Sequence, residues 1–160
     1  MNEKDPALKE LLKLTQVYNE LKETSKLLDY KPYDKQLEFL SARNKSKVLF
    51  GGNRTGKSHT VSYEVACHLT GLYPEWWQGT RFKRPVVAWA VGQDSKVVRN
   101  TIQRKLLGEF RKPGTGWIPK DCIDLDSMVS LAGTPLAVDF LNIKHITGGN
   151  SFLQFKAYKQ

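Results

Sequence analysis

At 160 residues, 40% of them hydrophobic, the chain has the size of one globular domain, and no apolar run approaches the length needed to cross a bilayer. Its two cysteines, Cys67 and Cys122, lie far apart and lack metal-ligand spacing, which excludes a disulfide framework or zinc cluster and points to free thiols in a reducing compartment. The net charge of +9 is uneven: residues 47–120 hold thirteen Lys/Arg against four Asp/Glu. That is more positive charge than one triphosphate requires, and it suits either a second polyanion such as DNA or a solvated basic face.

The first residues, Met1-Asn2-Glu3-Lys4-Asp5, are charged and carry no apolar signal core, so secretion is not expected. Asp5 as N-cap and Pro6 at the first helical position open an amphipathic helix, with Leu11, Leu14, Tyr18, Leu21 and Leu28 on one seam. This N-terminal helical segment, residues 1–30, is expected either to dock on the rest of the chain or to meet a neighbouring subunit. Tyr30-Lys31-Pro32-Tyr33 ends it, and residues 31–160 form the second unit. Asp34 to Arg43 reads as a short helix with Leu37 and Leu40 inward.

Val48-Leu49-Phe50 is an apolar run expected to form a strand, and the octapeptide after it fits G-x-x-x-x-G-K-[ST] at every fixed position. The octapeptide is Gly51-Gly52-Asn53-Arg54-Thr55-Gly56-Lys57-Ser58. A helix is expected from His59 to Thr70, closed by Gly71. Strand, glycine-rich turn and helix form a cradle for polyphosphate: glycines let successive N–H groups converge on one anion, and the helix N-terminus adds positive potential. Lys57 is expected to reach the β- and γ-phosphates, and the Ser58 hydroxyl to ligate Mg²⁺. Upstream, Tyr33-x-x-Gln36 can hold an adenine, the amide pairing with the base edge and a ring packing on its face; a plain surface Gln is the alternative.

Gly71-Leu72-Tyr73-Pro74-Glu75-Trp76-Trp77-Gln78-Gly79 is an aromatic turn, followed by Arg81, Lys83 and Arg84. The tryptophans either plug the edge of the core or face DNA or a partner. Pro85 to Val91 reads as a central parallel strand covered on both faces. Asp94 or Ser95 caps a helix with Val98, Ile102 and Leu106 on one face. Lys96, Arg99 and Gln103 lie on another, with Arg104 and Lys105 beside them. Residues 112–119 are loop by Pro/Gly density, and 120–134 carry no clear pattern. Ala137 to Ile146 and Ser151 to Tyr158 alternate like strands around the hairpin turn Gly148-Gly149-Asn150. A phosphate-loop ATPase also needs a strand-end Asp for Mg²⁺, commonly with a Glu beside it. Asp139 is the nearest candidate and a poor one, because Phe140 follows it; Asp124 and Asp126 sit in poorer context still.

Together these stretches resemble the large (ATPase) subunit of tailed-bacteriophage terminase, from about Tyr33 onward. The carrying residues are Gln36-Leu37-Glu38-Phe39, the segment Leu49 to Ser58, the turn Gly71 to Gly79, and Val97-Val98-Arg99-Asn100 with Ile102-Gln103-Arg104-Lys105-Leu106-Leu107. The resemblance implies an α/β P-loop NTPase core of the ASCE type with a mostly parallel central sheet, cut before its second acidic motif. It implies ATP and Mg²⁺ as cofactors, held by Gln36 at the adenine and by Gly51, Gly52, Asn53, Arg54, Thr55, Gly56, Lys57 and Ser58 at the phosphates. Lys57 and Arg54 are the implied catalytic residues, Arg54 sensing or stabilising the γ-phosphate. The implied partners are double-stranded DNA, a portal protein, a small terminase subunit and further copies in a ring, with no membrane, in the bacterial host cytoplasm. The piece alone is expected to bind nucleotide weakly and to hydrolyse it poorly. Two other readings stay open: a helicase-like or kinase-like P-loop protein, and a non-catalytic DNA- or partner-binding module whose loop is only structural.

Overall fold

Residues 26–159 are described by the computed structural model, so the expected helix from Asp5 to Leu28 lies almost wholly outside the described residues. Its last turn is in view: Leu27 is fully buried, and the Tyr63 hydroxyl donates to the Leu27 carbonyl at 2.9 Å. Helix α1 spans Asp34–Ser41 and is shorter than expected. Its inward residues are Gln36 and Leu40, while Leu37 is turned to solvent. Helix α2 spans Lys57–Thr70 between two glycines in the left-handed region, Gly56 at φ 83° and Gly71 at φ 73°. Left-handed backbone at both ends fixes the helix at the limits that the glycines announce.

Strand β1 is Val87–Asp94. A helical stretch follows without a break: α3 (Ser95–Val97), a π-helical turn (Val98–Gln103) and α4 (Arg104–Leu107). Asp94 caps it, its carboxylate accepting from Val97 N at 2.8 Å. The wider π turn shifts the helical phase, so Gln103, expected on the polar face, is buried. It spends its amide on two backbone groups, donating to Leu136 O at 2.9 Å and accepting from Val138 N at 2.9 Å. A two-residue ribbon pairs β2 (Gly108–Glu109) with β3 (Lys112–Pro113), and β3 falls inside the stretch expected as loop. Strands β4 (Ile123–Ser130), β5 (Val138–Lys144) and β6 (Asn150–Lys159) complete the chain, β4 arising where the sequence carried no pattern.

The sheet runs β1-β6-β5-β4. The β5–β6 hairpin is the expected one, with Leu141 opposite Leu153 and Lys144 opposite Asn150. The expected mostly parallel sheet is corrected to a mixed one: β1–β6 is parallel, while β5–β6 and β4–β5 are antiparallel. The expected central position of β1 is corrected as well. Among the described residues it pairs with β6 alone and lies at an edge, with Val87, Trp89 and Val91 exposed. Ala88 and Ala90 pack at the core, and a Cβ on Gly92 would come within 2.7 Å of Val98 Cγ2. The strand expected at Val48–Phe50 does not join the sheet among the described residues, and Val48 and Phe50 are exposed. An apolar run becomes a strand only where a neighbouring strand takes up its N–H and C=O groups, and none does so here.

One face of the sheet is covered. Leu141, Ile143, Leu153 and Phe155 join Tyr63, Ala66 and Leu69 of α2 and Leu106 of α4 in a single core. The far end of α2 is fastened to the β5–β6 turn by Ile146 N donating to Thr70 O at 2.8 Å. The near end, at Gly56–Lys57, is left at the edge of the core, where the glycine-rich turn enters.

Candidate functional site

The turn at residues 51–56 is shaped by two residues with left-handed backbone, Arg54 at φ 64° and Gly56 at φ 83°. Thr55 Oγ1 folds back to donate to Gly52 O at 2.9 Å. Gly56 is required twice: its φ disfavours a side chain, and a Cβ there would come within 2.8 Å of Gln36 Nε2. At Gly52 a Cβ would meet only Thr55 Cγ2 at 3.9 Å, an ordinary contact. Lys57 lies over the turn, its ammonium donating to Gly51 O at 2.7 Å and also to Gly52 O. Asn53, Arg54 and Ser58 are exposed, and Arg54 makes no hydrogen bond or ion pair among the described residues. Three exposed polar side chains and a lysine thus surround a helix N-terminus whose first amides have no intrahelical partner.

Gln36, fifteen residues upstream of Gly51, is brought directly against this turn. Its Oε1 accepts from the Tyr30 hydroxyl at 2.8 Å and from Tyr33 N at 3.0 Å. Two donors on one atom fix the amide orientation and leave Nε2 facing Gly56. No acceptor for Nε2 lies within hydrogen-bond distance among the described residues. Tyr33 beside it is 81% exposed, so its ring is available to a ligand. The Tyr33-x-x-Gln36 pair and the octapeptide therefore form one constellation.

Beside Lys57 and Ser58 opens a cleft of about 650 Å³, walled by Phe39, Leu49, Val61 and Trp89. Its one carboxylate among the described residues is Glu64, which is already engaged by Lys47. Asp139, the weak candidate for a magnesium ligand, is elsewhere: it accepts from Gln154 Nε2 at 3.3 Å in a separate cavity lined by Arg99 and Lys156. It has no part in the turn at Ser58.

Several residues around the turn carried no signal of their own in the sequence. His59 packs on Trp117 with ring centroids 4.6 Å apart and meets Tyr30 at 5.7 Å. Burial, then the positive charges of Lys105 and Lys26, hold its pKa below the ordinary histidine value. Glu64 is nearly enclosed in α2, paired with Lys47 and 3.6 Å from His68 Nε2. Burial pushes its carboxyl up, but hydrogen bonds from His68 and Lys47 outweigh that and hold it below the ordinary range. A glutamate four residues before a histidine, on the face that also carries Tyr63 and Cys67, was the available signal. Both cysteines are free, and burial pushes the Cys67 thiol up to about 12.

The basic residues divide. Arg81 is structural: it donates to Pro74 O at 3.3 Å and Trp77 O at 3.1 Å and covers the Tyr73 ring. Arg99 donates to Pro135 O at 2.8 Å, and Arg104 pairs with Glu109 at 2.5 Å. Both guanidinium groups also lie over Phe110. The tryptophan pair is a plug, with Trp77 buried and Trp76 Nε1 donating to Tyr30 O at 2.9 Å.

In class, then, this is an α/β chain with a mixed four-stranded sheet and a glycine-rich, lysine-bearing turn at a helix N-terminus. Comparison with known proteins narrows the class. The chain is 37% identical, over 173 aligned residues, to the terminase large subunit of Salmonella phage P22, an alignment that takes in 94% of this chain and 34% of that protein. The chain is thus similar to a terminase large subunit, in keeping with the resemblance of its motifs, and spans about a third of the length of the relative it matches. No family model and no solved structure matches the chain. Among the described residues no helix is long and apolar enough to cross a membrane.

Proposed function

We propose that the chain is the ATP-binding part of a viral DNA-packaging motor, the large subunit of a terminase. In the whole protein, ATP hydrolysis would drive double-stranded DNA through a portal into the capsid, from a ring of subunits served by a small terminase subunit. Similarity to a phage terminase large subunit supports the packaging role. The observation that carries the nucleotide reading is the meeting of Gln36 with Gly56 at the N-terminus of α2.

That geometry supports the following roles. The Gln36 amide, oriented by Tyr30 and Tyr33, offers Nε2 to an adenine edge, while the exposed Tyr33 ring can cover its face. Backbone amides of Gly51, Gly52, Asn53, Arg54, Thr55 and Gly56 receive the phosphates, with Ser58 as ligand to Mg²⁺. Lys57 exchanges two neutral carbonyl acceptors, Gly51 O and Gly52 O, for charged phosphate oxygens, a trade that favours the bound state. Arg54, exposed and without a protein partner among the described residues, supplies the mobile charge at the γ-phosphate. Bound ATP–Mg²⁺ brings the scissile phosphoryl group; these residues bind and orient it.

Titration with a fluorescent ATP analogue tests the reading. Lys57→Ala should weaken binding by about tenfold or more, the loss of a charged hydrogen-bonding partner. Equal affinity in the two proteins removes the claim. A non-catalytic DNA-binding module is the second reading, favoured by the basic middle of the chain, and would show as salt-dependent duplex binding that Lys57→Ala leaves unchanged.

A further inference from the structure

Between the last residue of α1 and the first of α2 the chain has little to hold it. Val48 and Phe50 are exposed, and residues 47–52 belong to no strand, so the sheet does not fix the entry to the glycine-rich turn. Two long side chains in that interval are anchored: Arg43 Nε donates to Gln78 O at 2.9 Å beside the end of α1, and Lys47 holds the residues that enter the turn. Lys47 turns inward, its ammonium donating to Phe39 O at 3.3 Å and Ala42 O at 3.5 Å, over the Phe39 ring at 4.8 Å. These carbonyls belong to the C-terminal end of α1, where a cation also meets the negative end of the helix dipole. The same ammonium pairs with Glu64, with side chains only 17% and 11% exposed for lysine and glutamate.

Glu64 sits in α2, which is fastened to the core, so it is the fixed end of the device. Its other neighbour is His68, at 3.6 Å from Nε2. His68 Nδ1 lies 3.1 Å from the Tyr73 hydroxyl, which accepts from Phe82 N at 2.9 Å. In the tautomer that places N–H on Nε2, that proton faces Glu64 and Nδ1 accepts from the Tyr73 hydroxyl, so each group of the chain has a partner. The carboxylate is thus held from one side by the aromatic turn and holds Lys47 on the other.

We propose that Glu64 is a positioning residue for the nucleotide site: through Lys47 it locks the C-terminal end of α1 and the chain entering Gly51 to helix α2. This inference rests on the nucleotide reading above and deepens it. Helix α1 carries Gln36, and Lys47 precedes the phosphate-binding turn, so one ion pair sets both halves of the site against the N-terminus of α2. The pair is directional. A lysine at 47 can donate to Phe39 O and Ala42 O, whereas a carboxylate there would only repel them.

The test uses the full chain with wild type, Glu64→Gln, Lys47→Arg and the exchanged pair Lys47→Glu/Glu64→Lys. Backbone amide exchange is followed without nucleotide, comparing residues 37–50 with residues 139–143 of β5. In Glu64→Gln, exchange over 37–50 should rise about tenfold while β5 is unmoved, and the affinity for the ATP analogue should fall by a similar factor. Lys47→Arg should behave as wild type, and the exchanged pair should remain loose and bind weakly. Equal acceleration in both segments, unchanged affinity of Glu64→Gln, or full rescue by the exchanged pair would each overturn the proposal. If the wild-type chain does not take the analogue, the nucleotide reading fails, and the exchange pattern still decides whether Glu64 holds the entry to the turn.

Discussion

Gly52, at a variable position of the motif, and Gly56, at a fixed one, carry different physical loads. A side chain at Gly56 meets both a left-handed φ of 83° and the Gln36 amide, whereas at Gly52 it meets open space and one methyl group. Gly56→Ala should therefore destabilise the chain by about 1–3 kcal/mol, the usual cost of left-handed backbone at a residue with a Cβ. Gly52→Ala should unfold within about 0.5 kcal/mol of wild type, as surface changes do. Urea titrations of the two variants check the contrast. His59 and His145 give a second prediction at this scale. Burial is the leading cause that lowers both pKa values, and His145 Nε2 is enclosed near Gly71 without a hydrogen-bond partner among the described residues. Because the unfolded chain binds protons first on acidification, stability is fully present above about pH 6.5 and is lost as pH falls through the depressed folded values. Thermal melts from pH 7.5 to 5.5 should show a falling midpoint, and His145→Gln should flatten that fall.

Among the elements, the helical stretch after β1 shows where local pattern and tertiary demand part. Asp94 as its cap and Val98 and Leu106 as its buried face were legible from spacing alone. The buried Gln103 was not, because a π turn is written in the contacts the helix makes and not in its periodicity. Leu136, at φ 61°, and Val138 leave one carbonyl and one amide unpaired at the start of β5, and Gln103 satisfies both. Gln103→Met keeps the volume and removes both bonds, so it should cost about 1–3 kcal/mol through the unsatisfied backbone groups. A lower urea midpoint with an unchanged m value is the expected result. The same contrast explains β1 and residues 48–50. Each apolar run was visible as a potential strand, but which edge a strand occupies, or whether it pairs at all, depends on neighbours remote in sequence. The hairpin of β5 and β6 was legible because its partners are adjacent and Gly148-Gly149 dictates the turn. Likewise the octapeptide and Gln36 were readable as motifs, while Glu64 and Lys47 were not: the meaning of each lies in the other, and seventeen residues separate them.

For the molecule as a whole, the net charge of +9 overstates the charge offered to a polyanion. Arg81, Arg99 and Arg104 are committed to backbone carbonyls, to Glu109 or to aromatic rings, Lys47 to Glu64, and Lys57 to the carbonyls of the glycine-rich turn. Lys83 and Arg84, exposed in the stretch that links the aromatic turn to β1, make no ion pair or hydrogen bond among the described residues. A phosphate contact that neutralises one charge contributes about 0.9 to the salt slope on duplex DNA. If the chain tracks DNA with this surface, Lys83→Ala/Arg84→Ala should weaken duplex binding and lower the slope of log K against log salt by about 2. Arg81→Ala should instead lower the melting point through the loss of its bonds to Pro74 O and Trp77 O, whether or not DNA is present. Fluorescence anisotropy with a labelled duplex between 50 and 200 mM salt, on the order of the range where such slopes are read, separates the two. An unchanged slope in the double variant would move the DNA-facing surface away from this stretch. The remaining exposed lysine of the helical region, Lys96, would then be the next position to test.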